Sequence, residues 1–236
     1  MKTILHKSET RGHANHGWLN THHTFSFANY YNPQRVHFGM LRVLNDDIIA
    51  PGEGFGKHPH DNMEIITIPL YGDLEHKDSM GNHGVISAGE IQVMSAGTGL
   101  FHSEFNKNKD KELGLLQIWV FPNKKNVTPR YDQITLADIK KTDELYQILS
   151  PDPHDQGVWI YQNAWFHLGD LSEGWKGEYK LKDKKNGVYF FVIEGTVTIA
   201  GQKLSRRYGF GVSETEMIEI KTDSKTTLLV MEIPMQ

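Results

Sequence analysis

Short runs of β-branched and aromatic residues, each closed by glycine within a few positions, constrain this chain more than any other feature. Residues 63–71 (MEIITIPLY) end at Gly72-Asp73. Residues 74–78, 91–94, 100–105 and 115–121 follow at short spacing, punctuated by Gly81-Asn82, Gly84, Gly89, Gly97 and Gly99. Residues 37–43 (HFGMLRV) read as a strand of the same kind. Such segments are too short for amphipathic helices, and glycine supplies the turn conformations between them. The rhythm predicts an all-β sandwich or jelly roll rather than alternating βαβ units.

The rhythm breaks once, at residues 122–133 (PNKKNVTPRYDQ), before TLADIKKTDE, the one stretch suited to a short helix or turn. A domain junction is placed here, giving an N-terminal domain 1–125 and a C-terminal domain 126–236. Strands resume at 146–149, 158–162, 164–168, 188–193, 197–200 and 226–233. A faint repeat links the halves: Ile68-Pro-Leu-Tyr-Gly72 resembles Val192-Ile-Glu-Gly195, and Gly89-Glu-Ile-Gln-Val93 lies opposite Gly209-Phe-Gly-Val-Ser213.

Composition excludes several chemistries. With no cysteine among 236 residues there is no disulfide framework, cysteine zinc module or thiol nucleophile, so any metal is held by His, Asp or Glu. A net charge of −4 argues against direct electrostatic nucleic-acid binding. No apolar run approaches the roughly 18 residues of a membrane helix, and the N-terminus lacks a secretory apolar stretch. A cytoplasmic protein without a membrane partner is expected.

The strongest local feature is His58-Pro59-His60, with Glu64 following. In an extended segment, residues two apart project to one side, so both imidazoles can reach one point. His102-Ser103-Glu104 repeats that spacing in LFHSEFN. Brought together inside a barrel, the pairs make a three-nitrogen, one-oxygen set suited to Fe(II), Mn, Ni, Cu or Zn. Glu64 has matching parity and competes with Glu104 as the carboxylate; spacing alone leaves that choice open.

Residues 52–64 (GEGFGKHPHDNME) resemble the first cupin signature. Gly89 to Ala96-Gly97, leading to His102 and Asn106, resembles the second, although Ser95 stands where proline is usual and the gap to the histidine is longer. With Arg11-Gly12, Gly17-Trp18-Leu19, His23-Thr-Phe-Ser-Phe27, Tyr30-Tyr-Asn-Pro33 and MSAGTGLFHSE, the chain resembles the pirin family of two-domain cupins over about residues 10–130.

That resemblance implies two jelly-roll β-barrels in tandem with short helical turns, and one Fe(II) held in the first by His58, His60, His102 and Glu104. Glu64 is then left to hydrogen bonding or strand packing. It implies quercetin 2,3-dioxygenase-type ring opening of a flavonol-like aromatic by O₂; Glu104 is also the candidate catalytic residue, relaying the substrate's proton if it loosens from the metal. Eukaryotic pirins are transcriptional cofactors, so the resemblance also carries the alternative of a non-catalytic, iron-binding regulator with a protein partner. A cupin isomerase or a zinc-loaded protein without redox chemistry is a third reading.

Offsets from Gly195 and Gly209 place Leu181, Asp183, Thr222 and Ser224 at the four ligand positions, so the second half is expected to carry no metal; His154 and His167 are unpaired there. His22 and His23 read as turn and packing residues, His76 and His83 as solvent-facing hairpin flanks, and Phe101, Trp119 and Phe121 as core. The Lys-rich runs 107–111 and 182–185 alternate with Asp and Asn, and read as solvated loops.

Overall fold

The computed structural model describes residues 1–236, and strands are numbered along the chain. The first large sheet runs in the order β12 (Arg130–Thr135), β9 (Glu90–Ser95), β6 (Glu64–Tyr71), β11 (Leu113–Val120), β4 (Leu41–Ile49), β3 (Leu19–His23), β2 (Gly12–Asn15). It faces a four-stranded sheet ordered β5 (Gly54–His60), β10 (Leu100–Asn106), β7 (Asp73–Asp78), β8 (His83–Ser87). The second large sheet runs β1 (Lys2–His6), β20 (Gly209–Ser213), β17 (Asn186–Glu194), β22 (Thr226–Pro234), β15 (Trp165–Leu171), β13 (Leu145–Ser150), β14 (Val158–Trp159). Its partner is ordered β16 (Lys176–Lys180), β21 (Met217–Thr222), β18 (Thr196–Ile199), β19 (Gln202–Ser205). The result is two jelly-roll barrels in tandem. Each large sheet gains an edge strand from the far side of position 125: β12 pairs with β9, and β1 with β20.

The central strands of the large sheets are apolar on both faces because both faces are covered. Ile66, Ile68, Leu116 and Ile118 join Phe166, Tyr189, Phe191, Leu229 and Met231 in one cluster of 26 buried residues that spans both barrels. Each such side chain contributes roughly 1.5–3 kcal/mol by leaving water. The alternate residues point into their own barrel.

Strand register makes the internal repeat explicit. Leu74 and Val197 each stand two residues after a glycine of positive φ, Gly72 and Gly195, and face Asn106 and Thr222. Both halves carry a bulge at the same place, between Gly114 and Leu115 and between Val192 and Glu194. Counting in step, Ile218 and Ile220 occupy the positions of His102 and Glu104, and Ile199 that of His76. Tyr179, opposite Ile218, takes the place of His58. Leu181, whose N–H donates to Glu216 O, takes that of His60. These registers correct the offset-based equivalences. Thr67 matches Phe190 and Gln92 matches Phe210, which puts Arg207, not Gly209, opposite Gly89. Loops of unequal length between the halves displaced the count.

Other expectations shift as well. The strand read over 37–43 begins at Leu41, because Gly39 turns the chain with φ 52°. The segment read over 158–162 is strand only to Trp159. Residues 135–144 form one helical turn, Lys140 N to Leu136 O at 2.8 Å, that does not propagate, since Asp143 has φ 57° and Thr142 bridges to Asp170. No helix is long and apolar enough to cross a membrane.

Candidate metal centre

The HPH segment ends β5, and β10 lies antiparallel beside it with His102 opposite His58 and Leu100 opposite His60. Ring centroids lie 4.3 Å apart for His58 and His102, and 4.9 Å apart for His60 and His102 and for His58 and His60. One ring nitrogen of each lies within 4.8 Å of the others. A bulge between His102 and Glu104 shifts the β5–β10 register just where the second pair sits.

Electrostatics keep two of these rings neutral. Burial, reinforced by neighbouring imidazoles, lowers the pKa of His60 to about 4 and of His102 to about 2. His58 Nδ1 lies 2.8 Å from Gly56 O and donates to it, which leaves Nε2 as the nitrogen that could ligate a metal. Neither nitrogen of buried His102 has a hydrogen-bond partner. Converging imidazoles with unpartnered nitrogens are the donor chemistry a divalent metal requires.

Glu104 is buried two residues beyond His102 on the same strand face, and its carboxylate falls with His102 and His76 in a second group of potential ligands. It accepts from Gln117 Nε2 at 3.0 Å and Thr67 Oγ1 at 3.5 Å. Burial pushes its pKa up to about 7, against the lowering effect of Gln117. Glu64 accepts from Ser95 Oγ at 2.7 Å and belongs to neither ligand group. Burial raises its pKa to about 7 too.

His76 does not face solvent. It lies on β7, an inner strand of the small sheet, is fully buried, and sits 5.5 Å from His102 and 3.2 Å from Asp78 Oδ2. The error came from treating a hairpin flank as outward; Glu75 and Lys77 are the outward positions, and parity turns His76 inward. His83 is exposed as expected. His23 packs inside, 3.0 Å from Asn45 Oδ1. Sequence reading also missed the polar row beneath Glu104. Gln92, Thr67, Gln117 and Asn45 stand opposite one another across adjacent strands. The available signal was a lone amide or hydroxyl inside otherwise apolar strands such as LGLLQIWV.

A cleft of about 720 Å³ opens over the imidazoles, walled by Met63, Thr98, Phe101 and Trp119. Phe101, expected in the core, is 47% exposed with Lys57 Nζ 5.1 Å from its ring. Trp119 stands edge-on to His60 at 4.9 Å. Phe121 is half-buried.

Residues 5–120 match the family model described as Pirin, and residues 147–233 the one described as Quercetinase C-terminal cupin domain. The chain is 43% identical to the quercetin 2,3-dioxygenase of Escherichia coli strain K12, covering 98% of each chain. It belongs to the pirin family. The fold is accordingly two cupin domains in tandem. A pirin-like protein of Caulobacter vibrioides is 35% identical, covering 94% of this chain and 95% of that protein. The crystal structure of the E. coli bacterial pirin YhhW in complex with nickel(II) superposes with a TM-score of 0.93 at 41% identity, covering 99% of both chains.

Proposed function

We propose that this pirin is a metal-dependent dioxygenase of the quercetin 2,3-dioxygenase type, with His58, His60, His102 and Glu104 as ligands of a single Fe(II). The carrying observation is the cluster of three converging imidazoles beneath an open cleft, in a chain resembling a named quercetin 2,3-dioxygenase along nearly its whole length. The related pirin was crystallised with nickel(II), so iron is compared with nickel and other divalent metals in the test. We also divide the chain at 125/126 into a metal-bearing first domain and a second domain without metal.

A metal bound there would supply Lewis acidity and a common meeting point for an enol-bearing aromatic and O₂. The chain's own residues do the rest. Phe101, Met63 and Trp119 offer apolar walls to a flat ring. Gln117 and Thr67 hold the Glu104 carboxylate in one orientation. A Glu104 carboxylate held there but not bound to a metal would take the proton of the substrate hydroxyl, since a metal-bound carboxylate is a poor base.

The test follows flavonol absorbance and carbon monoxide release with protein reconstituted anaerobically with Fe(II), Ni, Mn, Cu or Zn, with apo protein, and with His60→Ala. Turnover that tracks occupancy, highest with Fe(II), is expected. Equal rates in loaded, apo and variant protein would overturn the enzyme reading in favour of a regulator. One tightly bound ion per chain is expected, and two would refute the metal-free second domain.

A further inference from the structure

Away from the imidazoles, a second constellation sits where the barrels meet. Arg11, just after the 3-10 turn Ser8–Thr10, and Arg207, between β19 and β20, are 9% and 8% exposed. Both point at one acceptor: Asp46 Oδ2 lies 3.3 Å from Arg11 Nη2 and 3.5 Å from Arg207 Nε. Glu194 is held mainly by Arg206, at 2.7 Å, with Arg207 Nη2 at 3.6 Å. Two buried guanidiniums therefore converge on Asp46, with Glu194 a longer second partner for Arg207, and burying them costs free energy unless their remaining donors find acceptors.

The donors tell the same story. Nε and Nη1 of Arg11 and Nη1 of Arg207 are buried without a hydrogen-bond partner. These side chains line a pocket of about 350 Å³ whose walls also carry His22, Tyr71 and Arg206. Glu9 is the one further carboxylate on the lining, and its Oε1 lies 3.4 Å from the Tyr208 hydroxyl.

The backbone supplies an independent observation. Arg207 has φ 63° in the turn closed by Tyr208 N to Ser205 O at 3.0 Å. Its counterpart in the first barrel is Gly89, φ 91°. Glycine occupies this left-handed position without steric cost and arginine does not, so the turn itself gives no reason for an arginine. Its side chain does, because it reaches the cleft that β1 closes by bringing Arg11 across to the second sheet.

We propose that Arg11 and Arg207 form a binding site for a small oxyanion, a carboxylate or phosphate, between the two barrels. The planar guanidinium fork suits both chemistries, and the donors come from both sides of the interface. The site shares no lining residue with the imidazole cleft.

Metal-loaded protein is titrated calorimetrically with inorganic phosphate and, separately, malonate, and its melting temperature is followed against sodium chloride at equal ionic strength. Saturable binding of one anion per chain with a rise in melting temperature is expected; which anion binds more tightly identifies the source. Arg207→Gly, which suits the positive φ, should weaken binding by at least about tenfold without lowering the melting temperature in anion-free buffer or the metal content. Arg11→Gln should weaken it similarly. Stabilisation no greater than that given by chloride, or undiminished binding in folded Arg207→Gly, would overturn the proposal.

Discussion

The first barrel is open over three imidazoles, whereas the second is shut at the same place. By register, Trp119 and Glu232 are equivalent: Trp119 faces Ile65 and Glu232 faces Val188. Trp119 stands beside His60 at the cleft. Glu232 is fully buried and accepts from Tyr179 Oη, Lys182 N, Asp183 N and Asn186 Nδ2, each at 2.9 Å, tying the 182–186 loop across the mouth. The interiors differ in the same sense. Gln92, Thr67 and Gln117 of the first barrel are replaced by Phe210, Phe190 and Val230, which lie in a 14-residue apolar cluster with Ile218 and Ile220. One backbone thus serves two ends: the second barrel is filled for stability, and the first keeps unpartnered polar groups at some cost in stability.

Four substitutions would break or sharpen this contrast, and the largest effect is expected at the closed mouth. Glu232→Leu strands four donors, and should lower unfolding free energy by about 3–5 kcal/mol in denaturant titrations. A smaller loss would mean that the loop needs no carboxylate. Next, His102→Ile gives the first barrel the residue found at Ile218. Metal affinity, measured by chelator competition, should fall by about a hundredfold or more, while the apo protein becomes no less stable, because two orphaned nitrogens disappear. Retained affinity would remove His102 from the ligand set.

The third effect concerns acid. His167 corresponds to Asn45, is buried, and has its pKa lowered to about 4 by burial and secondarily by Lys182. The unfolded chain binds this proton near pH 6.5 and the folded one does not, so stability is full above pH 6.5 and falls as pH drops toward 4. The loss amounts to about 3 kcal/mol. His167→Asn should flatten that part of the pH–stability curve, and an unchanged slope would exclude His167 as its source. The smallest effect is expected for Gln117→Val, which copies Val230: metal affinity falls about tenfold with the fold intact, because Glu104 keeps Thr67 but loses its amide partner. No change in affinity would make the polar row irrelevant to the centre.

The sequence by itself determined the all-β class, the strand–glycine rhythm and the family resemblance. Period-two spacing also foretold that the His58–His60 pair and the pair around His102 have faces able to converge, because parity along a strand is a local property. Which residues meet across strands is not local. His76 was read as exposed because it flanks a hairpin, and only the pairing of β7 with β10 turns it toward His102. Thr67 and Gln117 looked like isolated polar residues until register set them side by side beneath Glu104. The true equivalences between the halves likewise waited on hydrogen-bonded register, since unequal loops shift every count made along the chain. Arg11 and Arg207 lie far apart in sequence, and only the crossing of β1 to the second sheet sets them around Asp46, where burial turns ordinary surface charges into a site with donors to spare.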